Sequence, residues 1–217
     1  MIKRNLEKII ADIPESVQIV VVTKNRSIDD IKTVYDSGYH HLGENRVQEL
    51  LNKYEQLPKD IQWHLIGHLQ SNKVKYIVPF IYLIHSVDSY DLALEIDKQA
   101  KKHQRVIPIL IQFHVAQEES KFGISVSEME TLFQQILPLE NIDIRGIMGM
   151  ATNTEDASIV KEEFKTLQTI FIRLKETFFK HKDTFNTLSM GMSSDYKIAI
   201  DEGSNMIRLG SIIFENS

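Results

Sequence analysis

The run Val17-Gln-Ile-Val-Val-Val-Thr-Lys24 is followed, after Asn25-Arg26, by Ser27-Ile-Asp-Asp30, and this junction decides the fold. The first piece is β-branched and apolar on both faces, as in a parallel strand buried on two sides. The second opens a helix. Ser27 offers a capping oxygen, and Asp29 and Asp30 put carboxylates in the first turn, where the helix dipole favours them. Gly38 falls where that helix should stop. The same strand–helix unit recurs along the chain. Strands are expected at 17–23, 40–43, 63–66, 83–87, 106–113, 142–148, 184–189 and 206–209. Helical patterns lie between or after them at 27–37, 46–54, 70–78, 89–103, 125–137, 154–180 and 193–202, and one more, 2–11, precedes them all. Ser125 with Glu128 three residues later is a capping-box pattern, and Gly203 marks another stop. Pro108 weakens the fifth strand, because proline cannot donate to a ladder. Eight alternating units predict an α/β protein, a single (β/α)8 TIM-type barrel with an extra N-terminal helix. A doubly wound open sheet is the alternative. The five prolines are scattered and no Gly/Ser-rich linker appears, so residues 1–217 read as one domain.

Composition bounds the function. The chain has 217 residues, 42% hydrophobic and 25% charged, with a net charge of -5. Such a chain buries a core and has no global pull toward nucleic acid or anionic membrane. With no cysteine, disulfides, thiolate metal sites and Cys nucleophiles are excluded. The apolar runs are too short to span a bilayer, and the N-terminus lacks a signal-peptide core. The expectation is a cytoplasmic protein with neither a nucleic-acid nor a membrane partner.

Both candidate folds bind ligands at the carboxyl ends of the strands. Lys24 ends the first strand. It reads either as a Schiff-base lysine, since a partly desolvated amine is a nucleophile, or as a solvated strand end. Asn45, after Gly43-Glu44, follows the second strand and is a candidate cap for the next helix. His64 and His68 are four apart, a metal spacing on a helix. Here Gly67 separates them, so no metal site is expected and His64 reads as a core or mouth histidine. The densest signal is Leu188-Ser-Met-Gly-Met-Ser-Ser-Asp195 with Ile207-Arg-Leu-Gly-Ser211. Barrels frequently bind phosphate with the loops after strands seven and eight, and unpaired N–H groups at helix starts suit a dianion. Two tight turns with capping serines would look the same.

Taken in order, several stretches resemble one family, the pyridoxal phosphate homeostasis proteins (YggS/PROSC). They are Val-Thr-Lys24, Gly43-Glu-Asn-Arg-Val-Gln-Glu49, His64-Leu-Ile-Gly-His-Leu-Gln-Ser-Asn-Lys73, His85-Ser-Val-Asp-Ser89, Glu119-Ser-Lys-Phe-Gly123, Gly146-Ile-Met-Gly-Met150 and the two C-terminal loops, the last extended to Phe214. The resemblance implies a barrel similar to the N-terminal domain of alanine racemase, with pyridoxal 5'-phosphate (PLP) in its mouth. It implies that Lys24 holds PLP as an internal aldimine. Gly191, Ser193, Gly210 and Ser211 would bind its phosphate, Arg208 would face its ring nitrogen, Asn45 and His64 would lie near the ring, and Met190 would line the pocket. Alanine racemase uses a second β-domain for a tyrosine acid/base, and nothing in these 217 residues reads as one. A binding and supply role without robust turnover is therefore expected, as a monomer, with apo PLP-dependent enzymes as acceptors. An amino-acid racemase is the alternative, and an aldolase-like barrel with Lys24 on a phosphorylated metabolite stands third. The chain departs from the family pattern at Asn25-Arg26, at His114 and at Glu215-Asn216-Ser217.

Overall fold

A computed structural model describes residues 1–117 and 122–215. Eight strands form one closed, all-parallel barrel in sequence order: Gln18–Val22 (β1), His41–Glu44 (β2), Gln62–Leu65 (β3), Leu83–Val87 (β4), Ile107–His114 (β5), Ile142–Met150 (β6), Thr187–Ser189 (β7) and Met206–Leu209 (β8). β8 closes on β1 with Met206 opposite Gln18. This is the (β/α)8 architecture, so the open-sheet alternative falls. Helices Ile28–Asp36 (α2), Val47–Gln56 (α3), Val74–Ile77 (α4), Tyr90–Lys102 (α5), Met129–Ile136 (α6), Ala157–Thr177 (α7) and Tyr196–Asp201 (α8) form the outer ring. Ile2–Asp12 (α1) is the extra N-terminal helix and packs against α2 and the short Ser211–Phe214 (α9). Asn5 Nδ2 donates to Ile213 O at 3.1 Å, tying the two ends of the chain.

Local chemistry explains most boundaries. Ser27 and Asp30 form the reciprocal capping box at α2. Ser125 donates from both its N and its Oγ to Glu128 Oε2, but Glu128 N donates to Ser125 O rather than to the hydroxyl, so the pair builds a turn and α6 starts only at Met129. Arg46, not Asn45, is the cap residue of α3. Pro108 lies within β5 opposite Asp143. The seventh strand begins at Thr187 rather than 184, because 184–186 turn back on themselves through Asn186 N to Thr184 O.

The pleat separates two cores. Ile19, Val21, Leu42, Trp63, Leu65, Ile109, Ile111, Ile147, Leu188 and Ile207 face the helices in one large apolar layer. Their strand neighbours Val20, Leu83, Leu110, Met148 and Met206 form a second, smaller cluster inside the barrel. Successive side chains alternate faces, so His41, His64, His85, Ser189 and Arg208 share that interior. Each fully buried aliphatic side chain in the outer layer contributes about 1.5–3 kcal/mol.

One glycine is imposed by the sheet. Pairing between β5 and β6 slips between Ile109 and Leu110, and Gly146 sits in the bulge at φ +155. A Cβ there would lie 1.8 Å from Thr187 O. Gly146→Ala is expected to destabilise the barrel by more than about 2 kcal/mol, read as a lower urea midpoint with an unchanged slope. A midpoint equal to the parent's would show that the bulge relaxes freely.

Candidate functional site

The loops at the carboxyl ends of the strands enclose a cavity of about 530 Å³. That is within the range of roughly 300–1,000 Å³ common for small-molecule clefts. Lys24, Asn45, Ser193, Arg208, Gly210 and Ser211 all line it. Residues 184 positions apart, Lys24 and Arg208, thus meet because barrel closure puts β8 beside β1.

Lys24 is exposed at the tip of the β1–α2 turn. Asn25 follows at φ +58, a left-handed conformation that asparagine tolerates better than most residues. Behind the turn lies a buried ion pair. Lys53 Nζ, on α3, donates to Thr23 O at 2.8 Å and to Glu44 Oε1 at 2.6 Å. Thr23 Oγ1 donates to the same Glu44 oxygen at 2.5 Å. Burial pushes the Glu44 carboxyl up, while Lys53 and Thr23 hold it down in part. Glu44 Oε2 has no hydrogen-bond partner. The pair therefore fixes the backbone immediately before Lys24.

Arg208 lies on the cavity floor and is almost fully buried. Nη1 donates to Ser189 Oγ at 2.7 Å and Nη2 to Gly149 O at 3.0 Å. Burial pushes its pKa down to about 10, against the opposing field of Asp195. The turns after β7 and β8 are joined by Gly210 N donating to Ser193 Oγ at 3.2 Å. Asp195 Oδ1 accepts from Met192 N at 2.6 Å and holds the first of these turns.

Three residues that the family pattern assigns to the pocket do not line it. Gly191 adopts φ +99, and a Cβ there would meet Ala199 Cβ at 2.6 Å, so its bareness serves packing against α8. Met190 is fully buried in the outer core, and Met192 takes the cavity wall. Ser189 faces the barrel interior, so its neighbour Met190 faces the helices, and the turn at Gly191, φ +99, then brings Met192 to the cavity. His64 is fully buried inside the barrel beneath the cavity. His68 stacks on Phe122 with ring centroids 4.0 Å apart, far from a shared helix face with His64. Among the described residues no His/Cys/Asp/Glu group is arranged for a metal ion, and no helix is long and apolar enough to cross a membrane. Glu119 to Lys121 of the fifth family stretch, and Asn216 and Ser217, lie outside the described residues.

Sequence reasoning missed several wall residues, among them Ile66, Met150 and Met192, and treated Arg26 and Glu215 only as departures. Those two pair with each other, Arg26 Nη2 to Glu215 Oε1 at 3.0 Å, with Arg26 over the Phe214 ring. Apart in sequence by 189 residues, they carry no local signal.

His64 and His85 have an energetic consequence. Burial pushes both well below the ordinary histidine value of 6.5, helped at His64 by His41 and at His85 by His64 and Arg208. The unfolded chain then takes up protons that the folded barrel refuses, so the unfolded state gains as pH falls. Stability is retained above 6.5 and lost below it, by about 1.4 kcal/mol per pH unit for each histidine until its folded pKa is reached. Urea melts from about pH 7 to 5 should show this slope, and His64→Phe should reduce it by about half. An unaltered slope in the variant would rule out His64 as a source.

An amine, a desolvated guanidinium and two hydroxyl-bearing turns around one mouth cavity define a barrel that binds a small anionic ligand. Residues 1–217 match the family model described as alanine racemase, N-terminal domain. The pyridoxal phosphate homeostasis protein of Aquifex aeolicus is 40% identical over 185 residues, covering 85% of this chain and 80% of that protein. That of Synechocystis is 37% identical over 212 residues, covering 95% and 94%. The solved structure of PipY from Synechococcus elongatus, with PLP bound, is 33% identical with a TM-score of 0.91, covering 99% of this chain and all of that one. Alanine racemase of Clostridium difficile shares the fold at 16% identity and a TM-score of 0.78, over 56% of its own length. The chain belongs to the pyridoxal phosphate homeostasis protein family.

Proposed function

We propose that this chain binds PLP in the mouth cavity, holds it covalently through Lys24, and serves as a PLP reservoir in vitamin B6 homeostasis. The observation that carries this is the convergence of Lys24, Arg208, Ser193, Gly210 and Ser211 on one cavity. The donor set fits the group. Arg208 has five N–H donors, and Nη1 and Nη2 each bond a neutral acceptor, Ser189 Oγ and Gly149 O, so an acceptor ring nitrogen complements the remaining N–H groups. The Ser193 and Ser211 hydroxyls, on the turns after β7 and β8, suit phosphate oxygens. Asn45 presents a polar edge to the same space. PLP supplies an aldehyde that captures an amine and, in many enzymes, an electron sink.

The residues here favour holding over turnover. Arg208 donates and cannot accept, so it disfavours a protonated ring nitrogen and weakens that sink. Among the described residues lining the cavity, the titratable groups are Lys24, Arg26, Arg208 and Glu215, and Glu215 is engaged by Arg26. Racemisation needs a second acid/base besides the lysine, and this set offers none well placed. The chain acts as a monomer that passes PLP to apo-enzymes. Racemase assays with several L-amino acids should stay at background. The central test is an absorbance scan with PLP, then borohydride reduction and peptide mass spectrometry. A visible band with the pyridoxyl group on Lys24 is expected. No band, or label scattered over surface lysines, would overturn the reading.

A further inference from the structure

The barrel interior beneath the cavity is half apolar and half polar. Val20, Leu83, Leu110, Met148 and Met206 form the apolar half. An unbroken hydrogen-bonded chain runs through the other half. From Arg208, Nη1 donates to Ser189 Oγ at 2.7 Å. Ser189 Oγ lies 3.3 Å from His85 Nδ1, and His85 Nε2 lies 2.9 Å from His64 Nδ1. His64 Nε2 lies 3.0 Å from His41 Nδ1. Ser189, His85 and His64 are fully buried, while His41, at the first residue of β2, is half-buried at the opposite end of the barrel from the cavity.

We propose that His41, His64 and His85 are positioning residues that transmit the protonation state of the barrel's N-terminal face to Arg208 through Ser189. A neutral imidazole has one donor and one acceptor nitrogen, so fixing one ring in such a chain fixes the next. Arg208 can only donate, so Ser189 Oγ always accepts from it. With His41 neutral, Ser189 can donate its hydroxyl proton to His85 Nδ1, and each ring then donates from Nε2 toward His41. With His41 protonated, its Nδ1–H must donate to His64 Nε2. The His64 proton then sits on Nδ1 and donates to His85 Nε2, and His85 donates from Nδ1 to Ser189. Ser189 now accepts twice and its hydroxyl proton leaves the line. The three histidines together take up one proton, which charges His41. Cooperativity along such chains makes an acceptor that is also donating the stronger one, so Ser189 holds Arg208 more firmly while His41 is neutral.

The surroundings suit the assignment. His41 is faced by His40, the residue just before its strand, by His64 and by the Tyr82 ring, and burial, with His40, lowers its pKa. His64 is faced by His41, His85 and Tyr82. His85 is faced by His64, Ser189 and Arg208. Among the described residues none of the three rings has a carboxylate within ion-pair distance, so nothing holds the two buried rings charged.

The chain needs no ligand, so its test uses the ligand-free protein and is separate from the PLP reading. Nitrogen-15 NMR of histidine and arginine side chains would be followed across about pH 5 to 8. As His41 titrates, His85 should change from the Nε2–H to the Nδ1–H tautomer, and the Arg208 side-chain signals should shift with the same midpoint. In His64→Phe, His41 should still titrate while His85 and Arg208 stay flat. A single His85 tautomer throughout in the parent, or a transition that survives in His64→Phe, overturns the proposal. Should that variant fail to fold, His41→Gln at the half-buried end decides. Flat Arg208 signals support the chain, and an unchanged transition refutes it.

Discussion

Lys24→Ala is expected to lose the visible PLP band and all borohydride-trapped pyridoxyl, while the barrel stays folded. Lys24 is exposed at a turn, and none of its side-chain atoms takes part in the hydrogen bonds that hold that turn. Removing it should change stability by no more than about 0.5 kcal/mol, as for other surface positions. Binding is different. Among the described residues lining the cavity, Lys24 carries the one amine able to capture an aldehyde covalently. The remaining contacts, from Arg208 and the turns joined by Gly210 N and Ser193 Oγ, still offer acceptor and phosphate recognition. A weaker, reversible complex should therefore persist, with affinity lower by at least about tenfold, or ~1.4 kcal/mol. Fluorescence titration measures that residue of binding. Trapping on another single lysine in the variant would show that Lys24 is not the anchor.

Lys53→Met is expected to cost about 3–5 kcal/mol of stability, because it leaves the Glu44 carboxylate buried without its cation. Glu44 is fully buried, and one of its oxygens already lacks a partner. Thr23 O loses its 2.8 Å donor as well, so the strand end that carries Lys24 loosens. Thermal melts should fall by about 2–4 °C for each kcal/mol in a chain of this length. The double variant Lys53→Met with Glu44→Gln should recover part of the loss, since a neutral amide costs far less to bury than an unpaired charge. PLP trapping in folded Lys53→Met should be slower than in the parent. A melt within 2 °C of the parent, on the order of 1 kcal/mol or less, would mean that Glu44 simply takes up a proton.

The strand–helix rhythm was legible because each unit is local. Val17 to Thr23 reads as a doubly buried strand from seven residues, and Ser27 with Asp30 starts α2 through contacts three apart. Lys24 and the Ser193 and Gly210 turns were legible as strand-end positions, because parallel barrels bind at that face whatever their sequence. Asn45 was misread as a cap, since capping depends on where the backbone turns and Arg46 occupies that place. Met190 was expected to line the pocket and lies in the outer core instead, because the strand β7 is only three residues long and its phase is set by pairing with β6 and β8.

The sequence by itself determined a parallel α/β barrel, an N-terminal helix, and a mouth carrying a lysine and two serine-bearing turns. Those features follow from periodicity and from residues near one another in the chain. Only the tertiary structure decided what meets inside. His85 and Ser189 are 104 residues apart, Arg208 and Gly149 59, and Thr23 and Glu44 21. Closing eight strands into a ring turns alternate side chains into one small interior, where burial and hydrogen bonding are fixed by register rather than by neighbours in sequence.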